Sequence, residues 1–312
     1  MKRSAGRLLD YIMDPDITDI EYNSTSGHIF LDGKNGRKYI ANSYENGKAE
    51  SFVHSVASYH GVEINEDHPI LSVMLPPELN GCRLQANVGP VTEGVSIVLR
   101  KPGDLYPIDD YVNGRVKDLI EQALLSRANI MLAGATGAGK TSFLNSILVL
   151  LNELLPRERM LILEDTHEVR CSHKNREFLF TVTDRSGNEV ISMANNVKNA
   201  LRMNPDRLVA GEVRDRRAAR AVLEAWETGH GGGLCTFHAS GGRQGFDRYF
   251  HLADFRWDNA GHHQRVSSAI DYIFFLSKED NNRAVREVIS VGFDRQTGRE
   301  QFQQEYSEHD DA

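Results

Sequence analysis

Residues 130–142 read IMLAGATGAGKTS. The apolar run Ile130 to Ala133 fits a short buried strand, and the segment from Thr141, TSFLNSILVLLNELL, has the length and spacing of an apolar helix. Between them Gly134 to Thr141, GATGAGKT, fits the pattern GxxxxGK[ST]. In a strand-loop-helix setting that pattern makes a phosphate cradle. Glycine lets backbone N–H groups close around the phosphates, and the helix N-terminus adds its positive dipole end. The cradle is expected to comprise Gly134, Ala135, Thr136, Gly137, Ala138, Gly139, Lys140, Thr141 and Ser142. Lys140 reaches the outer phosphates, and the Thr141 hydroxyl holds Mg2+.

Strands and helices alternate onward from this point: MLILED, then the helical NVKNALRM, RLVAGE, the helical RRAARAVLEAW, and LCTFHA. With VKDLIEQALL as a preceding helix, the alternation predicts an α/β fold with a parallel sheet flanked by helices. Ligands of such sheets bind at the carboxyl ends of the strands. Three of those ends carry chemistry: Glu164 and Asp165 after Met160 to Leu163, Glu212 after Leu208 to Gly211, and His238 after LCTF. Hydrolysis of a nucleotide needs one carboxylate for the metal and one to polarise the attacking water. Glu212 is expected at the metal and Glu164 at the water, with the sequence allowing the exchange. His238 is expected to sense the terminal phosphate.

Residues 1–103 read as a separate, smaller α/β domain, and KPGDLYPIDDYVNG, rich in Pro, Gly and charge, reads as a linker over 104–113. The catalytic domain then covers 114–312. In the first domain Leu8, Leu9 and Ile12 form one helical face, and ITDIEY, HIFLDG and KYIA read as strands. RLQANV and VSIVLR flank GPVTEG as a hairpin. Its symmetric register sets Asn87 opposite Ser96, Gln85 opposite Val98 and Arg83 opposite Arg100. Directly opposed like charges are destabilising, so the pair suggests an anion between them. Arg83 and Arg100 are the candidates for closing over a terminal phosphate.

The 312 residues carry 36 Lys+Arg against 44 Asp+Glu, a net charge of −8 that argues against a protein whose main affinity is for nucleic-acid phosphates. Before residue 112 there are 10 basic and 16 acidic residues, so the domain expected to offer two arginines to a phosphate is the acidic one. No apolar run approaches the ~20 residues of a membrane helix, and the basic start is too soon broken by acids for a secretory signal. A cytoplasmic location is the expectation. Cys82, Cys171 and Cys235 form no CxxC pair and read as buried thiols. The acidic end, SEHDDA, reads as frayed.

GATGAGKT, LILEDTHEVR, LRMNPDRLVAGEVRD and TGHGGGLCTFHAS, in this order and spacing, resemble the Walker A, Asp box, Walker B and His box of the traffic ATPases of type IV secretion and conjugation. RLQ…IVLRKP resembles their arginine-bearing N-terminal region. The resemblance implies a RecA-like P-loop domain with a PAS-like N-terminal domain, ATP and Mg2+ as ligands, and a ring, usually a hexamer. It implies ATP between the two domains with arginines of the first reaching it. Its partners would be membrane-embedded secretion or conjugation proteins, and its place the cytoplasmic face of the membrane. Lys140, Thr141, Glu164, Glu212, His238, Arg83 and Arg100 take the matching roles. A pilus assembly or retraction motor is the alternative within the class. A nucleic-acid translocase, resting on Arg216, Arg217 and Arg220 along one helical face, is the weaker one. Departures are Gly231 where the family has proline, and residues 241–265, whose His262 and His263 read as polar surface or, less readily, a metal pair.

Overall fold

The computed structural model describes residues 1–33, 36–41, 44–102, 105–184, 188–279 and 282–308. The chain folds as two units, Met1–Asp104 with Thr183–Glu189, and Leu105–Val182 with Val190–Ala312. Gly103 and Asp104, where the linker was expected to begin, lie outside the described residues, as do His309 to Ala312 of the acidic end.

The first unit comprises α1 (Lys2–Ala5), α2 (Leu8–Met13), β1 (Ile17–Asn23), β2 (His28–Gly33), β3 (Lys38–Ile40), α3 (Asn46–His60), β4 (Ile70–Met74), β5 (Arg83–Asn87) and β6 (Ser96–Arg100). Its antiparallel strands run β3-β2-β1-β6-β5-β4. Period-two alternation gives the sheet one apolar face: Leu84, Ala86, Ile97 and Leu99 are buried with Phe52, Val53 and Val56 of α3. The hairpin register is the expected one, with Arg83 paired to Arg100 and Asn87 to Ser96.

The second unit begins earlier than the linker reading placed it. Ile108 and Tyr111 are buried in its core, and the Tyr111 ring lies 5.2 Å from Phe143. Two apolar side chains inside a Pro- and charge-rich stretch are enough to fasten that stretch down.

There follow α4 (Gly114–Leu125), β7 (Ile130–Gly134), α5 (Lys140–Leu154), β8 (Met160–Glu164), β9 (Arg176–Phe180) and the short ribbon β10 (Val182–Thr183) with β11 (Glu189–Ile191). The chain continues through α6 (Met193–Ala200), β12 (Arg207–Ala210), α7 (Arg216–Glu227), β13 (Leu234–His238), α8 (Gly242–Leu252), α9 (Ala260–Ala269), β14 (Tyr272–Glu279), β15 (Asn282–Asp294) and β16 (Arg299–Ser307).

The large sheet runs β16-β15-β14-β7-β13-β12-β8-β9. It is parallel from β14 to β9, and β14, β15 and β16 form an antiparallel meander. Every residue of β7, β8 and β12 is buried, as expected of parallel strands covered on both faces. Helices α4 and α5 cover one face, and α6 to α9 the other.

The departing segment 241–265 forms α8 and most of α9. His263 is not polar surface. It is fully buried, with Nδ1 2.6 Å from Glu300 Oε2 and Nε2 2.8 Å from the Trp257 carbonyl. His262 Nδ1 accepts the Arg256 N–H at 2.8 Å. Among the described residues no group of three or more His, Cys, Asp or Glu side chains could hold a metal ion.

Candidate active site

The phosphate loop leaves the carboxyl end of β7, the strand between β14 and β13. Gly137 and Gly139 take φ of +78° and +92°, backbone that an L side chain enters only with strain, so the sharp turn into α5 requires glycine there. Gly134 has a different constraint: a Cβ on it would lie 2.5 Å from the Leu276 carbonyl oxygen of β14.

Lys140, the first residue of α5, is buried inside the loop. Its ammonium donates to Gly134 O and Ala135 O, both at 2.9 Å, and stands 3.2 Å from His238 Nδ1. Burial pushes this ammonium below its usual value, and the Glu212 carboxylate opposes the shift.

Parallel pairing of β13 with β7 sets His238 directly opposite Gly134. An ammonium has no lone pair, so His238 Nδ1 accepts from Lys140 and Nε2 carries the ring proton. That nitrogen lies 3.0 Å from Glu212 Oε1. Arg214 donates to Glu212 Oε2 at 2.8 Å and reaches Asp165 Oδ2 at 3.3 Å. A continuous chain of charge contacts therefore joins four strand ends: Lys140, His238, Glu212, Arg214, Asp165. Burial alone would raise the Glu212 carboxyl. Arg214, with His238 and Lys140, reverses that and holds it below its ordinary value. Thr236 fastens the β12 end by donating its hydroxyl to Gly211 O at 2.6 Å.

Glu164 is the opposite case. It is 3% exposed, and desolvation raises its carboxyl to about 7 against two opposing backbone hydrogen bonds. Those bonds reach Oε1 from the N–H groups of Glu168, at 2.9 Å, and Val169, at 2.7 Å. Among the described residues Oε2 has no hydrogen-bond partner. His167 Nδ1 stands 3.4 Å from it without hydrogen-bonding geometry, and burial pushes that imidazole down, away from the charged form. A buried carboxyl with one unsatisfied oxygen and a raised pKa is suited to take up a proton near neutral pH. Thr141, Glu164, Asp165, Glu168, Glu212 and Arg214 line a single cavity.

The five expected residues of the second unit are thus brought together. The arginine pair is in the first unit, across β5 and β6. Arg100 Nε donates to Asp19 Oδ1 at 2.8 Å, so its charge is already met by a neighbouring strand. The like-charge argument for a bound anion is weaker by that amount. Arg216 and Arg220, the proposed nucleic-acid contacts, bond to Asp254 and the Ala253 carbonyl. Arg214 was missed in the sequence. Its signal was an arginine two residues beyond a strand-end acid.

These features define a RecA-like P-loop ATPase domain with an N-terminal α/β unit. The type II/IV secretion system protein family matches residues 82–277, and the chain belongs to that family. The conjugal transfer protein TrbB of Rhizobium radiobacter is 32% identical over 89% of this chain and 84% of its own length. The fold is similar to the ATPase DotB of Legionella pneumophila (TM-score 0.65, 21% identity, 94% of this chain and 81% of that one). It is also similar to the pilus retraction motor PilT with bound ADP (TM-score 0.67, 19% identity, 92% and 82%). No helix among the described residues is long and apolar enough to cross a membrane.

Proposed function

We propose that the chain is a Mg2+-dependent ATPase that cycles within a hexameric ring and powers conjugative or type IV secretion transfer. The observation that carries this reading is the convergence of Lys140, Thr141, Glu164, Glu212 and His238 at adjacent parallel strand ends.

The phosphates of ATP occupy the loop Gly134 to Ser142, where Lys140 exchanges its carbonyl partners for phosphate oxygens. The Thr141 hydroxyl and the ionised Glu212 carboxylate are hard oxygen donors on one cavity wall, and they fit Mg2+, which keeps most of its waters and takes few protein ligands. When bound, that ion would neutralise charge on the β- and γ-phosphates.

Glu164 takes a proton from the attacking water as the water oxygen bonds to the γ-phosphorus. The bridging P–O bond breaks with its electron pair passing to ADP, leaving ADP and orthophosphate. The opposite pKa shifts of the two acids support this division of labour. A carboxyl near 7 can act as base, and one held low stays ionised beside a cation.

Because His238 bridges Lys140 and Glu212, an anion that takes Lys140 also alters the histidine's contacts, and the γ-phosphate is sensed in that way. Arg83 and Arg100 act as the charge-neutralising pair toward the nucleotide. The ring works at the cytoplasmic face of a membrane-embedded secretion or conjugation apparatus, without strong direct binding to nucleic acid. The second reading, a pilus motor, is favoured by the likeness to PilT in fold.

The test is phosphate release by wild type and Lys140→Ala, on protein sized by light scattering with ATP and Mg2+. Turnover by an oligomer, reduced about 10³-fold in Lys140→Ala, is expected. A monomeric, inactive wild type overturns the reading.

A further inference from the structure

Two cavities share a wall at the strand ends. One, with Thr141 and Glu164, is the proposed reaction chamber. The other, about 280 Å³, is lined by Glu212, Val213, Arg214, His238, Arg248 and Leu252, and by no residue of the phosphate loop. Glu212 and Arg214 belong to both, so their 2.8 Å pair is the partition.

The charges of the partition are committed to one another. Glu212 is met by Arg214 and His238, and Arg214 is shared with Asp165. Arg248, on α8, is different. It is exposed, it lines the second cavity, and among the described residues it makes no hydrogen bond or ion pair. The cavity thus carries one uncommitted guanidinium beside a carboxylate already neutralised, and its walls include the apolar side chains of Val213 and Leu252, which strengthen charge interactions near them. At about 30 Å³ per water, its volume corresponds to roughly nine waters, ample room for a tetrahedral oxyanion. A guanidinium presents its donors in a fork that matches phosphate oxygens.

We propose that this cavity is a binding site for inorganic phosphate, with Arg248 as its principal ligand, and that it receives orthophosphate after cleavage while ADP still occupies the loop. The inference rests on the ATPase reading for the origin of the phosphate, but not for the binding itself. Arg214, with more donors than its two acids use, can hold a product oxygen as it passes the partition. Arg248 then meets the charge on the far side. Phosphate and ADP leave by different routes, so the loop need not open to release phosphate.

The experiment titrates orthophosphate into the full chain by 31P NMR line broadening. Wild type, Arg248→Ala, Arg248→Gln and Arg248→Lys are measured with saturating ADP filling the loop, and Lys140→Ala without nucleotide. Wild type is expected to bind orthophosphate with the loop filled, as is Lys140→Ala, whose loop has lost its main phosphate ligand. The Ala and Gln variants are expected to bind about tenfold more weakly or worse, and Lys to recover part of the loss. Inhibition of turnover by orthophosphate should weaken in parallel, with inhibition by ADP retained. Equal binding by wild type and both neutral variants overturns the proposal, as does loss of all orthophosphate binding when ADP fills the loop. Failure of the ATPase reading shows separately, as absence of Lys140-dependent turnover, and leaves the Lys140→Ala titration to decide the site.

Discussion

Glu164 and Arg100 are both charged groups at strand ends, and the two units hold them in contrasting ways. Glu164 is 3% exposed and wedged against backbone amides, whereas the Arg100 side chain is 61% exposed and bound sideways to Asp19. Removing a carboxylate from water is costly unless it is paired, and Glu164 answers by retaining its proton to about 7. An arginine on an exposed strand face loses little when its ion pair is exchanged for another, since such pairs contribute only ~0–1 kcal/mol. The second unit therefore has fixed, preorganised electrostatics, of the kind that stabilises a transition state without rearrangement. The first unit has charges that can be redeployed.

The comparison can be broken first at its buried side. Glu164→Gln should lower turnover about 10²–10⁴-fold with ATP binding retained. In wild type, kcat/KM should rise with pH through about 7, because the base acts only once its proton has left. That ascending limb should vanish in the Gln variant. A pH profile unchanged by the substitution would remove Glu164 from the base role.

The redeployable side predicts a smaller loss. Arg83→Ala should reduce turnover about 100-fold, read by steady-state phosphate release, and wild-type turnover in the variant would sink the arginine pair. The smallest effect sharpens the contrast. Asp19→Ala unties Arg100 from its surface partner, and turnover should change only a few-fold, because an exposed, solvent-screened pair is easily replaced.

What could be read from the sequence follows the range of the interactions. The phosphate loop and its alternating strands and helices are local patterns, and the β5–β6 register follows from the symmetry of a short hairpin. Asp19 was hidden because it faces Arg100 only through the pairing of β1 with β6, 81 positions apart in the chain. The roles of Glu164 and Glu212 were interchangeable in the sequence. Burial on one side and the Arg214–His238 clamp on the other give the two carboxyls different environments, and the proposed division of roles rests on that difference. His263 looked like surface because a histidine pair among polar residues usually is. Its burial depends on Trp257 and on Glu300 of β16. Strands β4, β14 and β15 were not anticipated, nor were β9, β10, β11 and β16, for which the physical reason is plain. Those last four are half-exposed or short, and lack the apolar runs that marked β7, β8 and β12.

Lys140 has three N–H bonds, and three acceptors surround it: Gly134 O, Ala135 O and His238 Nδ1. These three acceptors are thus tethered competitors of a phosphate for the ammonium, present at the high effective concentration of intramolecular groups. A monophosphate or a stray anion gains little by displacing them. A ligand that also engages the loop amides and the strand-end acids gains enough. The lysine proposed to bind the nucleotide is in this sense also part of the latch that screens it.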